Sequence, residues 1–419
     1  MVSTLADLEI ATFAVDEVVE GTQTGWSDGR LTVSLPQLAV GAGLPALAEA
    51  TVEVVRPGDP VRISNVLDAV VPTVKPDALA STFPGALGTG ERGCTGRTNR
   101  LDGVAVLSAC DWERSGFVGP DELPDSIVDM AGPGADRSPF GATTNLVLRF
   151  VPANGAHVET VDDAIRRETL RVARELAAAT IGLGPRDVET FRWPPTDHAD
   201  ASLPAVVAIV QVASEGPLTD TFWLGEPMRG FEPFEVDPRA ILDGWLISGA
   251  YDWAAVRNVT AAYQRAPLLR DLLAGHGERL RCAGATLAPG YLDTAEEKQR
   301  SAELSAELAA RLGADGAICT TFSSGNSHTD TMLTVRACER RGIKTVALVC
   351  ETNGGLTDHV PEADSLISTG NEDELVAPWT PARVVGTDEP ARAGEPVPTW
   401  AYLSACSQMG ETTWTAVPT

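Results

Sequence analysis

Between residues 280 and 370 the chain alternates short apolar runs with stretches whose apolar residues recur every three or four positions. The runs "LRCAGATLA", "GAICTTF", "IKTVALVCE" and "ADSLISTGN" read as strands, with helices predicted over 293–312 and 329–341. Upstream, "LPAVVAIVQVAS" is another run of buried-strand type, followed by "DTFWLG". Residues 161–181 predict a helix whose apolar face carries Ile165, Leu170, Val172, Ala173, Leu176 and Ala177, with Asp162 and Asp163 in the first turn. Before residue 150 the pattern is different. Short alternating runs ("RLTVSL", "ATVEVV", "PVRISNVLDAVVPTV", "DGVAVLSAC", "TTNLVLRFV") are punctuated by Gly, Pro and Asp, which reads as β-rich.

These patterns predict an α/β protein in three parts. A β-rich domain spans 1–155, an α/β, Rossmann-like domain spans 156–385, and a Pro/Gly/Thr-rich tail spans 386–419. The second domain is expected to be a doubly wound, mostly parallel sheet, because its apolar runs are joined by helical crossovers. Right-handed crossovers then line up the loops "FSSGNSHTD", "CETNGGLTDH" and "STGN" along one carboxyl edge, where such sheets bind ligands. The tail is expected to be flexible or to wrap a partner. The stretch "VDMAGPGADRSPFGATTN" is too rich in Gly and Pro for a regular element and reads as an ordered, function-bearing surface loop.

Charge narrows the partners. A formal charge of −26 on 419 residues argues against nucleic acid and anionic membrane. No apolar stretch approaches the roughly 20 residues of a bilayer span, and the acidic N-terminus does not read as a signal peptide, so a cytoplasmic location is expected. Seven scattered cysteines include no CxxC, and reduced thiols are expected. No GxxxxGK[ST] or GxSxG occurs, and "GPGADRSPFG" lacks the strand–helix setting of a dinucleotide fingerprint.

The edge loops hold the densest polar chemistry. Ser324, Gly325, Asn326, His328 and Asp330 precede a predicted helix, whose free N–H groups suit a carboxylate or phosphate. Thr329 or Asp330 could equally serve as the helix cap. Cys350 and Glu351 end the next strand, and Gly370 and Asn371 end the last one. His328 and Asp330 could join Cys350, Glu351, Asp358 and His359 around a metal, but no ligand framework supports it and no metal is expected. Farther upstream, "GWLISGAYDWAA" breaks an apolar run at Ser248, Gly249 and Ala250 and restarts it at Tyr251, Asp252 and Trp253. Such a bend is either a reactive corner or a plain strand end.

Taken in order, "RPGDPVRISNVLDAVVPTVK", "FPG", "GCTGRTNRLDGVAVL", "IVDMAGPGADRSPFGATTNLV", "LISG", "PLLRDL", "LGADGAI", the "GN.HTD" pattern at 325–330, "RGIKTVALV" and "PEADSLISTGN" resemble the component B proprotein subunits of glycine, sarcosine and betaine reductases, a family that also includes a D-proline reductase subunit. The resemblance implies a proprotein that cleaves itself before a cysteine, which becomes a pyruvoyl group. That carbonyl forms a Schiff base with the substrate amine, and a selenol or thiol of another subunit then displaces the amine. The family's Asn-Cys cleavage pair follows the segment matching Leu246-Ile247-Ser248-Gly249, where this chain reads Ala250-Tyr251. A phenol reaches too far to form the small-ring ester and cannot β-eliminate, so no pyruvoyl group is expected. The family's acidic pair after "KTVALV" is replaced by Cys350-Glu351, so glycine specificity does not transfer.

What the resemblance then implies is a subunit of a glycine-reductase-like complex that acts on a small, polar, amino-acid-like substrate. Its partner would be a second subunit carrying Cys or selenocysteine. Tyr251, Asp252 and Cys350 are the candidate catalytic residues: Tyr251 as a proton donor and Cys350 as a nucleophile. Ser324, Gly325, Asn326, His328, Asp330, Glu351, Gly370 and Asn371 are the candidate substrate contacts. Two other readings stand beside it: a non-catalytic scaffold subunit of such a complex, and a stand-alone small-molecule binding protein.

Overall fold

A computed structural model describes residues 7–76, 83, 94–112, 126–193, 201–251, 253–322, 325–352, 363–388, 392–412 and 414–417. The largest sheet among these residues has seven strands. Arg281–Pro289, Ala205–Val212, Gly316–Thr320, Lys344–Glu351 and Ser365–Asn371 lie side by side in that order, each pairing parallel to the next. Phe234–Val236 and Thr415–Val417 add antiparallel edges. The class is thus mixed α/β, as the alternating pattern predicts, and the sheet is mixed rather than uniformly parallel.

The apolar runs are near-continuous because both faces of this sheet are covered. On one face Val207, Ile209, Ala317, Cys319, Ala347 and Val349 pack against helices Ala295–Arg311 and Asn326–Glu339. The alternate residues Ala208, Val210 and Val212 point the other way, into a core shared with Leu268, Leu269 and Leu272 of helix Pro267–Ala274. That same core contains Ile63, Val66, Ala105 and Val128 from the N-terminal strands, so apolar packing is continuous past residue 155. Helix Ala295–Arg311 starts on a capping box, Thr294 Oγ1 accepting from Glu297 N at 3.2 Å and Glu297 Oε2 accepting from Thr294 N at 3.1 Å.

The N-terminal region is β-rich, as the alternation predicts. Leu47–Val55, Thr144–Pro152, Val104–Cys110 and Val66–Val70 form one four-stranded sheet, and Leu8–Ala14 and Gly96–Asp102 lie in another. Helix Val158–Ala178 packs on them through the expected face, with Ile165, Leu170, Val172, Ala173, Leu176 and Ala177 all buried. The "DTFWLG" run stands outside the large sheet. Thr219–Trp223 pairs antiparallel with Leu246–Ala250, the strand that ends at the bend.

The C-terminal segment departs from the expectation of a flexible tail. Tyr402, Leu403, Cys406 and Met409 are each 0% exposed. Val397–Pro398 pairs with Leu375–Val376, and Thr415–Val417 joins the large sheet. Composition hid this, because a few apolar residues among Thr, Pro and Gly suffice once the rest of the molecule provides a groove to fill.

Candidate functional site

At the bend, strand Leu246–Ala250 is buried throughout. Ala250 packs with Ala213 and Phe322, which follow the carboxyl ends of Ala205–Val212 and Gly316–Thr320. The bend therefore abuts the edge where sheets of this kind place ligands. Tyr251 is only 2% exposed and belongs to a core cluster with Leu218, Phe222 and Ile247. Its backbone N–H donates to Leu218 O at 2.9 Å, and its hydroxyl donates to Asp162 Oδ1 at 3.4 Å. Burial pushes the phenol well above its usual range and the Asp162 carboxyl up to about 6. Trp253, by contrast, is half-exposed with a positive φ of 48°. Asp252 lies outside the described residues.

Buried polar groups close the corner from behind. Arg257, 0% exposed, donates from Nη1 to Ala250 O at 3.3 Å and from Nη2 to Val66 O at 2.9 Å. Asp68 accepts from Thr260 N at 2.9 Å and Thr260 Oγ1 at 2.6 Å, and that hydroxyl in turn accepts from Ser248 N at 3.0 Å. The bend is therefore a hydrogen-bonded, enclosed strand end.

The glycine-containing edge loop differs from its expected form. The helix begins at Asn326, with Gly325 at the cap position and φ 66°, so Thr329 and Asp330 lie inside the helix and neither caps it. Lys298 Nζ donates to Asn326 Oδ1 at 2.5 Å and to Asp330 Oδ1 at 2.7 Å. Asn326 Nδ2 donates to Leu292 O at 3.2 Å, and Leu292 N donates to Asp330 Oδ2 at 3.2 Å. Asn326 and Asp330 thus clamp the loop after Arg281–Pro289 onto the helix, and burial raises the Asp330 carboxyl against the pull of Lys298. His328 is buried in the same first turn. Gln211 occupies the crevice between the adjoining strand ends: it donates from Nε2 to Ser327 O at 2.9 Å and accepts at Oε1 from Phe322 N at 2.7 Å. Ser324 lies outside the described residues.

A polar cavity of about 550 Å³ opens elsewhere along the edge. Asp136, Arg137 and Pro139 of the Gly/Pro-rich loop form one wall, Gly370 and Asn371 a second, and Cys406 belongs to a third. The Gly/Pro-rich loop is ordered, as expected, for reasons that can be named. Arg62 grips Asp129 through Nε at 2.6 Å and Nη2 at 2.9 Å, and Tyr402 OH donates to Asp129 Oδ2 at 3.0 Å. Gly141 lies where a Cβ would stand 1.9 Å from Ala135 O, so only glycine lets the loop close on itself. Arg137 makes a bidentate pair with Glu374 across the rim, both contacts at 2.7 Å.

Of the candidates on the strand ends, Gly370 and Asn371 therefore line the cavity, whereas Glu351 accepts a hydrogen bond from Ser368 Oγ at 2.5 Å. Cys350 sits behind the wall, its Sγ donating to Gly370 O at 3.3 Å in an apolar cluster with Cys406; the neighbouring thiol, together with burial, holds its own thiol far above the usual range. This is a neutral thiol rather than the activated thiolate the nucleophile role assumed. The structure accordingly separates the candidates into three places: Tyr251 at the bend, Asn326, His328 and Asp330 at the clamp, and Gly370 and Asn371 at the cavity, backed by Cys350.

Known proteins decide the family. The family model for glycine/sarcosine/betaine reductase component B subunits matches residues 6–395. The chain belongs to that family. Among its curated relatives, the glycine reductase complex component B subunits alpha and beta of Acetoanaerobium sticklandii are 29% identical over 374 residues, covering 87% of this chain and 85% of that protein. The betaine reductase complex component B subunit alpha of Peptoclostridium acidaminophilum is 32% identical over 390 residues, 88% of this chain and 85% of the relative. The sarcosine reductase complex component B subunit alpha from the same organism is 28% identical over 375 residues, 87% of this chain and 85% of the relative. No solved structure matches the chain.

The pyruvoyl group implied by the family resemblance does not fit the residues here. The carbonyl that self-cleavage would attack, Ala250 O, is held by Arg257, but the next side chain is a phenol directed at Asp162. Sequence reading missed Gln211, Lys298, Arg257 and Cys406. A polar Gln inside "AVVAIVQVAS" was the only one that could have been noticed, since buried polar groups in apolar runs are tied to something.

Proposed function

We propose that this component B family member remains uncleaved and acts as a subunit of a glycine-reductase-like complex, without a pyruvoyl group. Its partner is a second subunit bearing Cys or selenocysteine, and its substrate is a small, polar, amino-acid-like molecule. The observation that carries this reading is Tyr251, buried in the core at 2% exposure with its hydroxyl toward Asp162. On this reading the substrate meets the polar cavity beside Gly370 and Asn371, and Tyr251 plugs the corner that a carbonyl cofactor would need. We further read residues 1–155, 156–385 and 386–419 as the units of the chain, its central sheet as doubly wound and Rossmann-like, and its location as cytoplasmic. No helix among the described residues is long and apolar enough to cross a membrane.

Intact-mass spectrometry of the purified chain should return one species of 44.0 kDa that does not react with hydrazine. Two fragments with a hydrazine-reactive carbonyl would sink the proposal. The scaffold reading is favoured by the same burial of Tyr251, because a closed corner leaves no room for chemistry there. Full turnover by the thiol- or selenol-bearing partner alone would select it.

A further inference from the structure

Among the described residues that line the 550 Å³ cavity, Arg137 is the one cation, and its charge is already taken. Both of its Nη atoms donate to Glu374, Nη1 to Oε2 and Nη2 to Oε1, each at 2.7 Å. This is the two-pronged geometry by which a guanidinium recognises any carboxylate. Glu374 lines the same cavity, so a side chain of the protein itself stands where an incoming carboxylate would bind.

The pair is open to solutes. The side chains of Arg137 and Glu374 are 31% and 51% exposed, unlike those of Arg62 and Asp129 behind them, at 1% and 0%. Nor does either backbone depend on the pair. Glu374 O accepts from Thr399 N at 2.8 Å and from Thr399 Oγ1 at 3.0 Å. Arg137 N donates to Gly134 O at 3.0 Å, and Gly134 is pressed so close to Asp129 and Tyr402 that a Cβ would stand 2.3 Å from the Tyr402 hydroxyl. Two anchored posts are thus joined by a solvent-accessible link, which can open while both walls stay in place.

We propose, building on the reading that the substrate meets this cavity, that the carboxylate of a small ligand displaces Glu374 and takes both Nη donors of Arg137. Glu374 is then left as a free carboxylate on a wall that also carries Asp136, and it pairs with a cationic group of the same ligand. A zwitterion therefore enters by partner exchange, with no charge left over. A plain anion leaves Glu374 uncompensated, and a plain cation leaves Arg137 latched. The other charged group of the wall, Glu411, is engaged elsewhere: its Oε1 lies 3.4 Å from Arg265 Nη1. The cavity volume suits a ligand of small-molecule size.

The test is a saturation-transfer NMR titration of the full-length chain with acetate, glycine and glycinamide as probes. The parent should bind glycine more tightly than acetate, and glycinamide, which lacks the carboxylate, more weakly than glycine. Arg137→Gln should weaken both carboxylates by about ten-fold or more. Arg137→Lys, which keeps the charge but loses the fork, should recover only part of that loss. Glu374→Ala should move acetate the other way, tightening it by up to about five-fold because the internal competitor is gone. Glycine's lead over acetate should shrink in the same variant. A merely structural ion pair would weaken binding when either partner is removed, so the opposite signs are diagnostic. Unchanged acetate binding in Arg137→Gln, or weaker acetate binding in Glu374→Ala, would overturn the proposal and leave the substrate reading to turnover with the partner subunit. Acetate following this pattern while glycine fails to bind would uphold Arg137 as the carboxylate site and remove the amino-acid-like substrate instead.

Discussion

Replacing Asp129 by alanine is expected to cost the folded chain about 3–5 kcal/mol, more than any surface change in the same loop. The side chains of Arg62 and Asp129 are 1% and 0% exposed, so the substitution strips a carboxylate from a guanidinium that water cannot reach. The same carboxylate also accepts the Tyr402 hydroxyl. It therefore ties strand Val61–Ser64, strand Ile127–Asp129 and the C-terminal segment at one point, next to the loop that walls the cavity. Glu374→Ala provides the contrast. Its partner Arg137 is bidentate too, but the pair is partly open to solvent and should be worth about 1 kcal/mol or less. Urea unfolding of both variants against the parent reads the difference, and equal shifts would refute the assignment.

Stability should also fall as pH rises from about 4 to 7, and Asp68 should be the main cause. Three donors reach its carboxylate, from Thr260 N, Thr260 Oγ1 and Ala69 N. Burial still dominates and holds the carboxyl up at about 7 rather than 3.8. The folded chain then keeps a proton that the unfolded chain has released. Its contribution is fully present below the unfolded value of 3.8 and is lost as pH climbs through about 7, after which the curve is flat. The slope is about 1.4 kcal/mol per pH unit for each proton so held. Asp162, raised to about 6, adds a second proton over a narrower part of the same window. Unfolding midpoints at pH 5 and pH 7.5 should therefore lie closer together in Asp68→Asn than in the parent. Parallel pH dependence in the two proteins would rule the assignment out.

Much of the architecture was legible before any coordinates. The central strands announced themselves because both faces are covered, which forces near-continuous apolar sequence in Ala205–Val212 and Lys344–Glu351. Helix Val158–Ala178 was legible because its buried face repeats at helical spacing. The pairing of Thr219–Trp223 with Leu246–Ala250 was not, since a short apolar run looks the same whichever neighbour it finds. The C-terminal segment was misread for a related reason. Its burial depends on a groove made by other strands, and nothing in its own composition records that groove.

At the candidate site the division is sharper. Gly370 and Asn371 could be chosen from sequence because a strand end in a parallel sheet must arrive at the ligand edge. Asn326 and Asp330 were chosen on the same logic, yet Lys298 from the preceding helix claims both. Cys350 drew notice alone, whereas packing sets it in one apolar cluster with Cys406. What the sequence determined by itself was the chemistry of bonds: Tyr251 after Ala250 cannot supply the nucleophile that pyruvoyl formation needs, wherever those residues lie. Only the tertiary structure decided which groups meet. It buried Tyr251 against Asp162, spent Asp330 on Lys298, and brought two cysteines together beside a bare Gly370. Covalent reactivity is a property of adjacent residues, while contact between distant ones exists only once packing has brought them within reach.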